Sequence, residues 1–217
     1  MIALFDFDGV IMDTESQYTR FWDETGRKYV NKEGFGLMIK GQTLRQIFEN
    51  HFDGRPEEEL REIENSINEF EKNMKYEFIR GAEEFLIKLK DAGIPVAIVT
   101  SSNNLKMSQV YKAHPELLTM VDAILTSEDF SRSKPDPECF LKGMEVLGGS
   151  PQTTVVFEDS IHGLTAGRAA GAYVVGLATT NPSEVIAPLC DLIIDNFVGF
   201  ELPTLPPHPQ ALCDARS

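Results

Sequence analysis

Cysteine is scarce in this 217-residue chain, which contains only Cys139, Cys190 and Cys213. The number is odd, and no two cysteines have the short spacing of a zinc-binding pair. This pattern fits packing thiols better than a disulfide framework or a structural zinc site. We interpret Cys139 and Cys190 as small core residues and expect a reducing compartment such as the cytoplasm.

Long hydrophobic runs and an excess of basic residues are also missing. No apolar run approaches the roughly 18 residues that a membrane-spanning helix needs, and no signal-peptide pattern opens the chain. Lysine and arginine total 20 against 34 acidic residues, which gives a net charge of −14. Such a surface repels nucleic acids and anionic membranes, so we expect neither as a partner. A phosphate-bearing ligand then needs a locally positive or metal-filled site.

Short apolar runs recur along the chain, with helical patterns between them. The runs are unbroken rather than alternating, which is typical of strands covered on both faces. This order predicts a Rossmann-like α/β fold, a parallel sheet with helices on both faces and right-handed crossovers. The predicted strands are residues 2–5, 96–100, 123–125, 153–157, 173–177 and 192–194.

Residues 14–78 interrupt this alternation and contain no convincing strand. The stretch 57–78 has apolar residues every three or four positions, which predicts an amphipathic helix, and shorter helices are predicted at 16–24 and 44–52. We therefore expect an inserted helical cap. The predicted division is a core of residues 1–13 and 79–200, a cap of residues 14–78, and a loosely attached proline-rich tail of residues 201–217.

Polar residues gather where ligands bind in open α/β sheets, at the carboxyl ends of the strands. Asp6 and Asp8 directly follow the first apolar run. A buried strand normally excludes such carboxylates because their desolvation is costly, so these two point to a site. We expect four polar segments to meet at this edge of the sheet: residues 6–9, 100–104, 133–137 and 158–160.

These segments resemble, in order and spacing, the four motifs of the haloacid dehalogenase superfamily of aspartyl phosphotransferases. The segment DFDGV (6–10) matches the first motif, and Thr100 the second. Lys134, in SKPDP, matches the third motif, and the acidic pair Glu158 and Asp159 the fourth. The resemblance covers nearly the whole chain except the tail. Within the superfamily it is greatest to the β-phosphoglucomutase-like group of phosphatases and mutases, which carry a small helical cap.

The resemblance implies a Mg²⁺-dependent phosphatase that acts on a small phosphorylated metabolite, such as a sugar phosphate, through an aspartyl phosphate. Asp6 is then the nucleophile, and Asp8 is the general acid and base. Mg²⁺ favours oxygen ligands, and we expect it on Asp6, the Asp8 carbonyl and Asp159. Glu158 is expected to bind the metal directly or through a water.

Thr100 and Lys134 are implied to be catalytic as well, by holding the phosphoryl group and neutralising its charge. Backbone N–H groups at the start of the next helix are expected to help, because helix N-termini bind anions. The cap is expected to close over the core and set specificity. The residues expected to contact the substrate are Thr100, Ser101, Ser102, Asn104 and Lys134 from the core, and Gly41, Gln42 and Arg45 from the cap.

Three other functions remain open. One is a β-phosphoglucomutase-type mutase, although Tyr18 stands where those mutases resemble one another in having a histidine. Another is an inorganic pyrophosphatase. The third is a non-catalytic binding protein, which would have no need of the intact motif residues. We also expect a monomer or weak homodimer, and a packing or surface role for His162.

Overall fold

The structure is a computed structural model that describes residues 1–205. Six parallel strands form one sheet in the order β3-β2-β1-β4-β5-β6. The predicted α/β fold is confirmed, and every predicted strand lies within one residue of its observed bounds. The strands are β1 (Ile2–Phe5), β2 (Val96–Val99), β3 (Ala123–Leu125), β4 (Thr154–Glu158), β5 (Tyr173–Leu177) and β6 (Leu192–Ile194).

The central strands are apolar throughout because both faces of the sheet are covered. β1, β2 and β4 are buried at every position. On one face Phe5 stacks on Phe157, with 4.3 Å between the ring centroids. On the other face Leu4 and Val156 belong to a second buried cluster that contains Phe140. Because the chain passes from β1 to β2 on one side and later to β4 on the other, a crevice opens where these strands end.

Within residues 1–205, ten α-helices surround or extend this sheet. Those of the core are α5 (Ala82–Asp91), α6 (Asn104–Ala113), α7 (Leu117–Met120), α8 (Glu138–Leu147), α9 (Ile161–Ala169) and α10 (Ser183–Ile186). Those between β1 and α5 are α1 (Glu15–Thr25), α2 (Phe35–Met38), α3 (Leu44–His51) and α4 (Glu57–Lys72), with a π-helix at Gly26–Val30. Short 3₁₀ helices lie at Pro151–Thr153 and Ala187–Leu189. Among residues 1–205, no helix combines the length and apolarity needed to cross a membrane.

The inserted helices have an apolar cluster of their own, which we call the cap core. Its buried members are Trp22, Phe35, Ile39, Ile47, Phe52, Ile63 and Ile67. Their separation from the sheet clusters supports the proposed division into core and cap.

The helix predicted over residues 57–78 is too long. α4 ends at Lys72, and the chain then returns to the sheet, where Met74 and Tyr76 join its main buried cluster. Phe78 forms an isolated antiparallel bridge with Met12. The apolar residues beyond Lys72 thus continue the helical spacing by sequence but pack against a different part of the molecule.

The described part of the predicted tail is attached to the core. Leu202 and Leu205 pack against the sheet cluster that contains Phe5, and Glu201 forms an ion pair with Lys88. The predicted loose attachment therefore does not apply to residues 201–205. Residues 206–217, which hold three of the four prolines and Cys213, lie outside the described residues.

Candidate active site

The ends of three adjacent strands meet at the side chain of Lys134. Its Nζ lies 2.5 Å from Asp6 Oδ1, 2.7 Å from Glu158 Oε1 and 3.1 Å from the carbonyl oxygen of Val99. These contacts use all three N–H groups of the ammonium, and Lys134 is only 1% exposed. Since Phe5 is in register with residues 98 and 157, the parallel pairing itself places these acceptors side by side.

Burial disfavours the charged forms of Lys134 and the carboxyl groups around it. Their oppositely charged neighbours offset part of this effect. Burial lowers the pKa of the Lys134 ammonium, yet Asp6 and Glu158 outweigh it and raise that pKa well above the ordinary lysine value. Burial raises the pKa of Asp6; Lys134 opposes this rise, and the nearby carboxylates add to it. Burial, together with neighbouring carboxylates, also raises the pKa of Asp159 well above its usual range. One ammonium thus faces more than one buried carboxylate, which favours binding of a further cation.

The acidic residues of this group fit a divalent metal ion. Asp6, Glu158 and Asp159 each offer one oxygen, and these three oxygens lie within 4.8 Å of one another. All three residues are buried. Carboxylate oxygens are the ligands that Mg²⁺ prefers, so the donor set and its excess negative charge both suit this ion.

Asp159 is placed by residues from two other strand ends. The Thr180 hydroxyl donates to Asp159 Oδ2, and the Asn181 side-chain amide donates to the Asp159 carbonyl oxygen at 3.0 Å. Gly9 has φ +73°, and a Cβ there would lie 2.1 Å from Asp159 Oδ2. Thr180 and Asn181 were not predicted, although they form a polar run just after the apolar segment 173–177. The rule that identified the other four segments also applies to this one.

Glu158 is held by the start of α9. Its Oε2 accepts the backbone N–H groups of Asp159 and Ser160, both at 2.9 Å, and the Ser160 hydroxyl at 3.0 Å. The helix approaches this closely because Gly163 has no side chain: a Cβ there would lie 1.7 Å from Glu158 Oε1. The missing side chain at Gly163 therefore leaves the space that the Glu158 carboxylate occupies.

The substitution Gly163→Ala is expected to displace Glu158 and destabilise the protein by about 1–3 kcal/mol, the usual cost of an added buried methyl group. It should also reduce the gain in unfolding free energy that we expect from Mg²⁺. Denaturant unfolding with and without Mg²⁺ measures both effects. The matched control is Gly167→Ala in the same helix, where the nearest atoms are valine methyl groups at 3.1 Å. Equal behaviour of the two variants would contradict the assigned role of Gly163.

Asp8 lies beside this acidic group but has a different set of partners. Its Oδ1 accepts from the Thr14 hydroxyl at 2.5 Å and from Lys106 Nζ at 2.6 Å. Its Oδ2 accepts from Lys106 Nζ at 2.5 Å and from the Ser102 hydroxyl at 2.9 Å. Burial works against ionisation, but Lys106 and the two hydroxyls together lower the pKa of Asp8 below its usual value. The sequence prediction identified Asp8 and Ser102 but not Lys106, four positions beyond Ser102 in α6.

The segment after β2 supplies hydroxyl groups to the same crevice. Thr100 is 1% exposed, and its hydroxyl accepts the backbone N–H of Ser102 at 3.0 Å. Ser101 and Ser102 line the cavity described below. Thr100 is not among the lining residues of that cavity. The three residues lie between the end of β2 and the start of α6, and their substrate contacts remain a prediction.

The asparagine of this segment that faces the cavity is Asn103 rather than Asn104. Asn103 lines the cavity and caps α6, with its side chain accepting the Lys106 backbone N–H at 2.8 Å. Asn104 is exposed, and its side-chain oxygen accepts from the Thr126 hydroxyl at 3.2 Å. The predicted substrate contact of Asn104 is corrected accordingly, because α6 begins at Asn104 and turns its side chain away from the cavity.

A cavity of about 1190 Å³ lies between the cap and the core. The cap loop reaches the core around it: Gly41 lies against Ser160, and its carbonyl oxygen accepts from Ser101 Oγ at 3.4 Å. The Gln46 amide donates to the Lys134 carbonyl oxygen at 3.0 Å. Gly41 and Gln42 both line the cavity, as their predicted roles require. Gln46 was not predicted, and its only sequence signal is its place three residues after the helix-capping Thr43.

Arg45 and His162 have structural partners. Arg45 borders the cavity, but its side chain is 80% exposed and pairs with Glu49 one turn along α3. The predicted contact of Arg45 with the substrate therefore has no geometric support. The His162 Nδ1 lies 3.0 Å from the Lys40 carbonyl oxygen, a contact between cap and core that agrees with its expected packing role.

Comparison with known proteins agrees with this geometry. Validoxylamine A 7'-phosphate phosphatase from Streptomyces hygroscopicus subsp. limoneus is 26% identical, over 95% of this chain and 98% of that protein. Hexitol phosphatase A from Escherichia coli (strain K12) is 30% identical, over 80% of this chain and 81% of that protein. The crystal structure of β-phosphoglucomutase from Clostridium difficile matches with a TM-score of 0.74 and 25% identity, over 93% of this chain and 94% of that chain.

The family model for haloacid dehalogenase-like hydrolases matches residues 3–177, which include every motif residue discussed above. The matched residues contain the buried acidic group, the inserted helices and strands β1 to β5 of the sheet apart from Ile2. The chain therefore belongs to the haloacid dehalogenase-like hydrolases, and it is a phosphoric monoester hydrolase of that family.

Proposed function

We propose that the protein is a Mg²⁺-dependent phosphatase of a small monophosphorylated metabolite, such as a sugar or polyol phosphate. The observation that carries this proposal is the Asp6 carboxylate, which lies 2.5 Å from the buried Lys134 ammonium beside two further metal-ligating carboxylates. The names of the two phosphatase relatives agree with a phosphorylated, hydroxyl-rich substrate.

The reaction follows from the roles of Asp6 and Asp8. An Asp6 oxygen attacks phosphorus in line with the leaving oxygen, so a P–O bond to Asp6 forms as the bond to the substrate breaks. The protonated form of Asp8 gives its proton to the leaving oxygen. Asp8 then takes a proton from the water that attacks the aspartyl phosphate, which releases inorganic phosphate and restores Asp6.

The other residues of the site balance charge and hold the phosphoryl group. Lys134 holds the nucleophile and neutralises part of the negative charge at the reacting centre. Asp6, Glu158 and Asp159 would hold Mg²⁺, with the Asp8 carbonyl as a further predicted ligand. When bound, the ion supplies the positive charge that lets a carboxylate approach an anionic phosphate. Ser101 and Ser102 would donate to the phosphoryl oxygens.

A single phosphate fits the cavity better than two. Each of the basic side chains that line it already has a carboxylate partner, so the lining carries no surplus positive charge for a second phosphate. The pairs are Lys40–Glu15, Arg45–Glu49, Lys106–Asp8, Arg132–Asp136 and Lys134–Asp6. Pyrophosphate and a sugar bisphosphate both carry the negative charge of a second phosphate, which this cavity does not match. This disfavours a pyrophosphatase, and it disfavours a mutase that acts through a bisphosphate.

The side chain of Tyr18 also disfavours the mutase. It occupies the position of the histidine expected in a mutase, and its hydroxyl donates to Glu71 Oε1 at 2.7 Å. Tyr18 is thus engaged with the cap rather than available to a sugar hydroxyl.

Phosphate release from a panel of phosphorylated compounds tests the proposal, with Mg²⁺ and with EDTA. The panel contains hexitol, hexose, pentose and glycerol phosphates, nucleotides, β-glucose 1-phosphate and pyrophosphate. We expect Mg²⁺-dependent release from a narrow set of monophosphates. Conversion of β-glucose 1-phosphate to glucose 6-phosphate without release would indicate the mutase instead. Preference for pyrophosphate would indicate a pyrophosphatase, and inactivity towards every compound would support a binding protein.

A further inference from the structure

Lys106 is a buried lysine that the mechanism above does not use. It is 2% exposed, and its Nζ lies 2.6 and 2.5 Å from the two oxygens of Asp8 and 2.8 Å from the Ser102 hydroxyl. These contacts account for the three N–H donors of the ammonium. Lys106 therefore has no donor left for a substrate phosphate, and its action is directed at Asp8.

The cap completes the surroundings of Lys106. Its Nζ lies 4.6 Å from the ring centroid of Tyr18 in α1 and 5.4 Å from that of Phe7. The Tyr18 hydroxyl donates to Glu71 of α4, which is 6% exposed. The ammonium is thus enclosed by aromatic rings and flanked by a carboxylate of the core and one of the cap.

Packing alone does not explain a lysine at this position. Burial of an ammonium group costs several kcal/mol, whereas an apolar side chain such as methionine would fill the same space without that cost. What the ammonium adds is a pair of directed hydrogen bonds to Asp8. The Thr14 and Ser102 hydroxyls can rotate and either donate or accept, but the ammonium only donates. Lys106 is therefore the partner that restricts how the Asp8 carboxyl group can turn.

We propose that Lys106 is a positioning residue for Asp8, which holds the carboxyl group in the orientation from which it protonates the leaving oxygen. The proposal rests on the proposed function, which gives Asp8 the role of general acid. In the reacting form Asp8 carries a proton on one oxygen, and Lys106 donates to the other. As the bond between phosphorus and the leaving oxygen breaks, the electron pair stays on that oxygen and the proton passes to it from Asp8, which becomes the carboxylate that Lys106 contacts through both oxygens. An Asp8 side chain that is free to rotate would make this transfer less often.

The identity of the leaving group separates positioning from a purely structural role. An alkoxide leaving group is strongly basic and needs the proton from Asp8, whereas p-nitrophenolate leaves readily without one. The value of kcat/KM reports the steps through departure of the leaving group, and the ratio of two kcat/KM values on one preparation does not depend on the fraction of folded enzyme. This ratio is therefore the quantity to measure.

The test compares Lys106→Met with the full-length wild type on p-nitrophenyl phosphate and on the best alkyl monophosphate of the panel, with Mg²⁺ present. We expect kcat/KM to fall about 100-fold for the alkyl phosphate, within the range that general acid catalysis contributes, and less than about threefold for p-nitrophenyl phosphate. Lys106→Arg should recover at least about a tenth of the lost activity, since it also donates to a carboxylate. If Lys106→Met does not fold, the same ratio is measured on Lys106→Arg, which is expected to lose about tenfold on the alkyl phosphate only.

Lys112→Met is the matched control, because Lys112 lies exposed in the same helix and its Nζ donates to Gln109 Oε1 at 3.4 Å. It should retain the wild-type ratio. Equal losses on both substrates, or no loss on either, would overturn the positioning role of Lys106. Inactivity of the wild type on every monophosphate would instead refute the proposed function, so the two failures are distinguishable.

Discussion

The substitution Asp6→Asn is expected to reduce phosphate release by about 10⁴-fold or more, as expected for removal of a covalent nucleophile. Asparagine has the size of aspartate, but its amide oxygen is a poor nucleophile and cannot form the aspartyl phosphate. The change also removes one of several carboxylates that surround a single ammonium. The metal-free variant should therefore be at least as resistant to denaturant as the metal-free wild type.

Phosphate release and denaturant unfolding together check this prediction. Asp13→Asn is the matched control, because Asp13 is exposed and lies outside the cavity-lining residues. It should leave the rate within about twofold of the wild type, as expected for a surface change. An Asp6→Asn protein that turns over at the wild-type rate would refute the nucleophile assignment. An inactive variant that is also unfolded would show that Asp6 is needed for the fold.

The substitution Lys134→Met is expected to have the largest effect on stability. It leaves Asp6 and Glu158 buried without the ammonium that contacts both. Removal of one partner from a buried ion pair costs about 3–5 kcal/mol, because the remaining charges stay desolvated. We expect a loss of this size in the metal-free protein at pH 8, measured by denaturant unfolding. Mg²⁺ should restore part of it by supplying the missing positive charge.

The size of this loss should depend on pH. Lys134 opposes the rise in the pKa of Asp6, so without Lys134 that pKa rises further above the ordinary aspartate value of about 4. The folded variant then binds more protons than the unfolded chain, so its stability falls as pH rises through the interval between the ordinary and the raised pKa values. The wild type follows the same trend up to about pH 8, the pKa of its own Asp6, so the loss relative to the wild type should increase as the pH rises above about 8. Lys142→Met, an exposed change in α8, should show no such trend, and a loss independent of pH would contradict this account.

The sequence by itself determined the sheet and the buried acidic group. Short unbroken apolar runs are typical of strands that are covered on both faces, so the strand positions were predictable. Asp6 and Glu158 directly end such runs, and parallel pairing places the ends of neighbouring strands at one edge. The contact of Lys134 with both of them therefore follows from the order of the motifs and the topology of the sheet.

Other features of the site depended on contacts between distant segments. Lys106 meets Asp8 across 98 positions of the chain, and Gln46 meets Lys134 across 88. Local periodicity predicts which face of a helix is buried, but it does not identify the group that lies opposite. For this reason the sequence did not distinguish the buried Lys106 from an exposed lysine of the same helix.

The position of the cap decided the remaining cases. The helix predicted to run to residue 78 ends at Lys72, because the later apolar residues pack on the sheet rather than on the cap core. Arg45 faces solvent although the loop just before it faces the cavity. Where the cap meets the core, the surroundings of a side chain depend on how these two units pack against each other. That arrangement is a property of the tertiary structure, because the free energy of each contact includes the desolvation and packing of both partners.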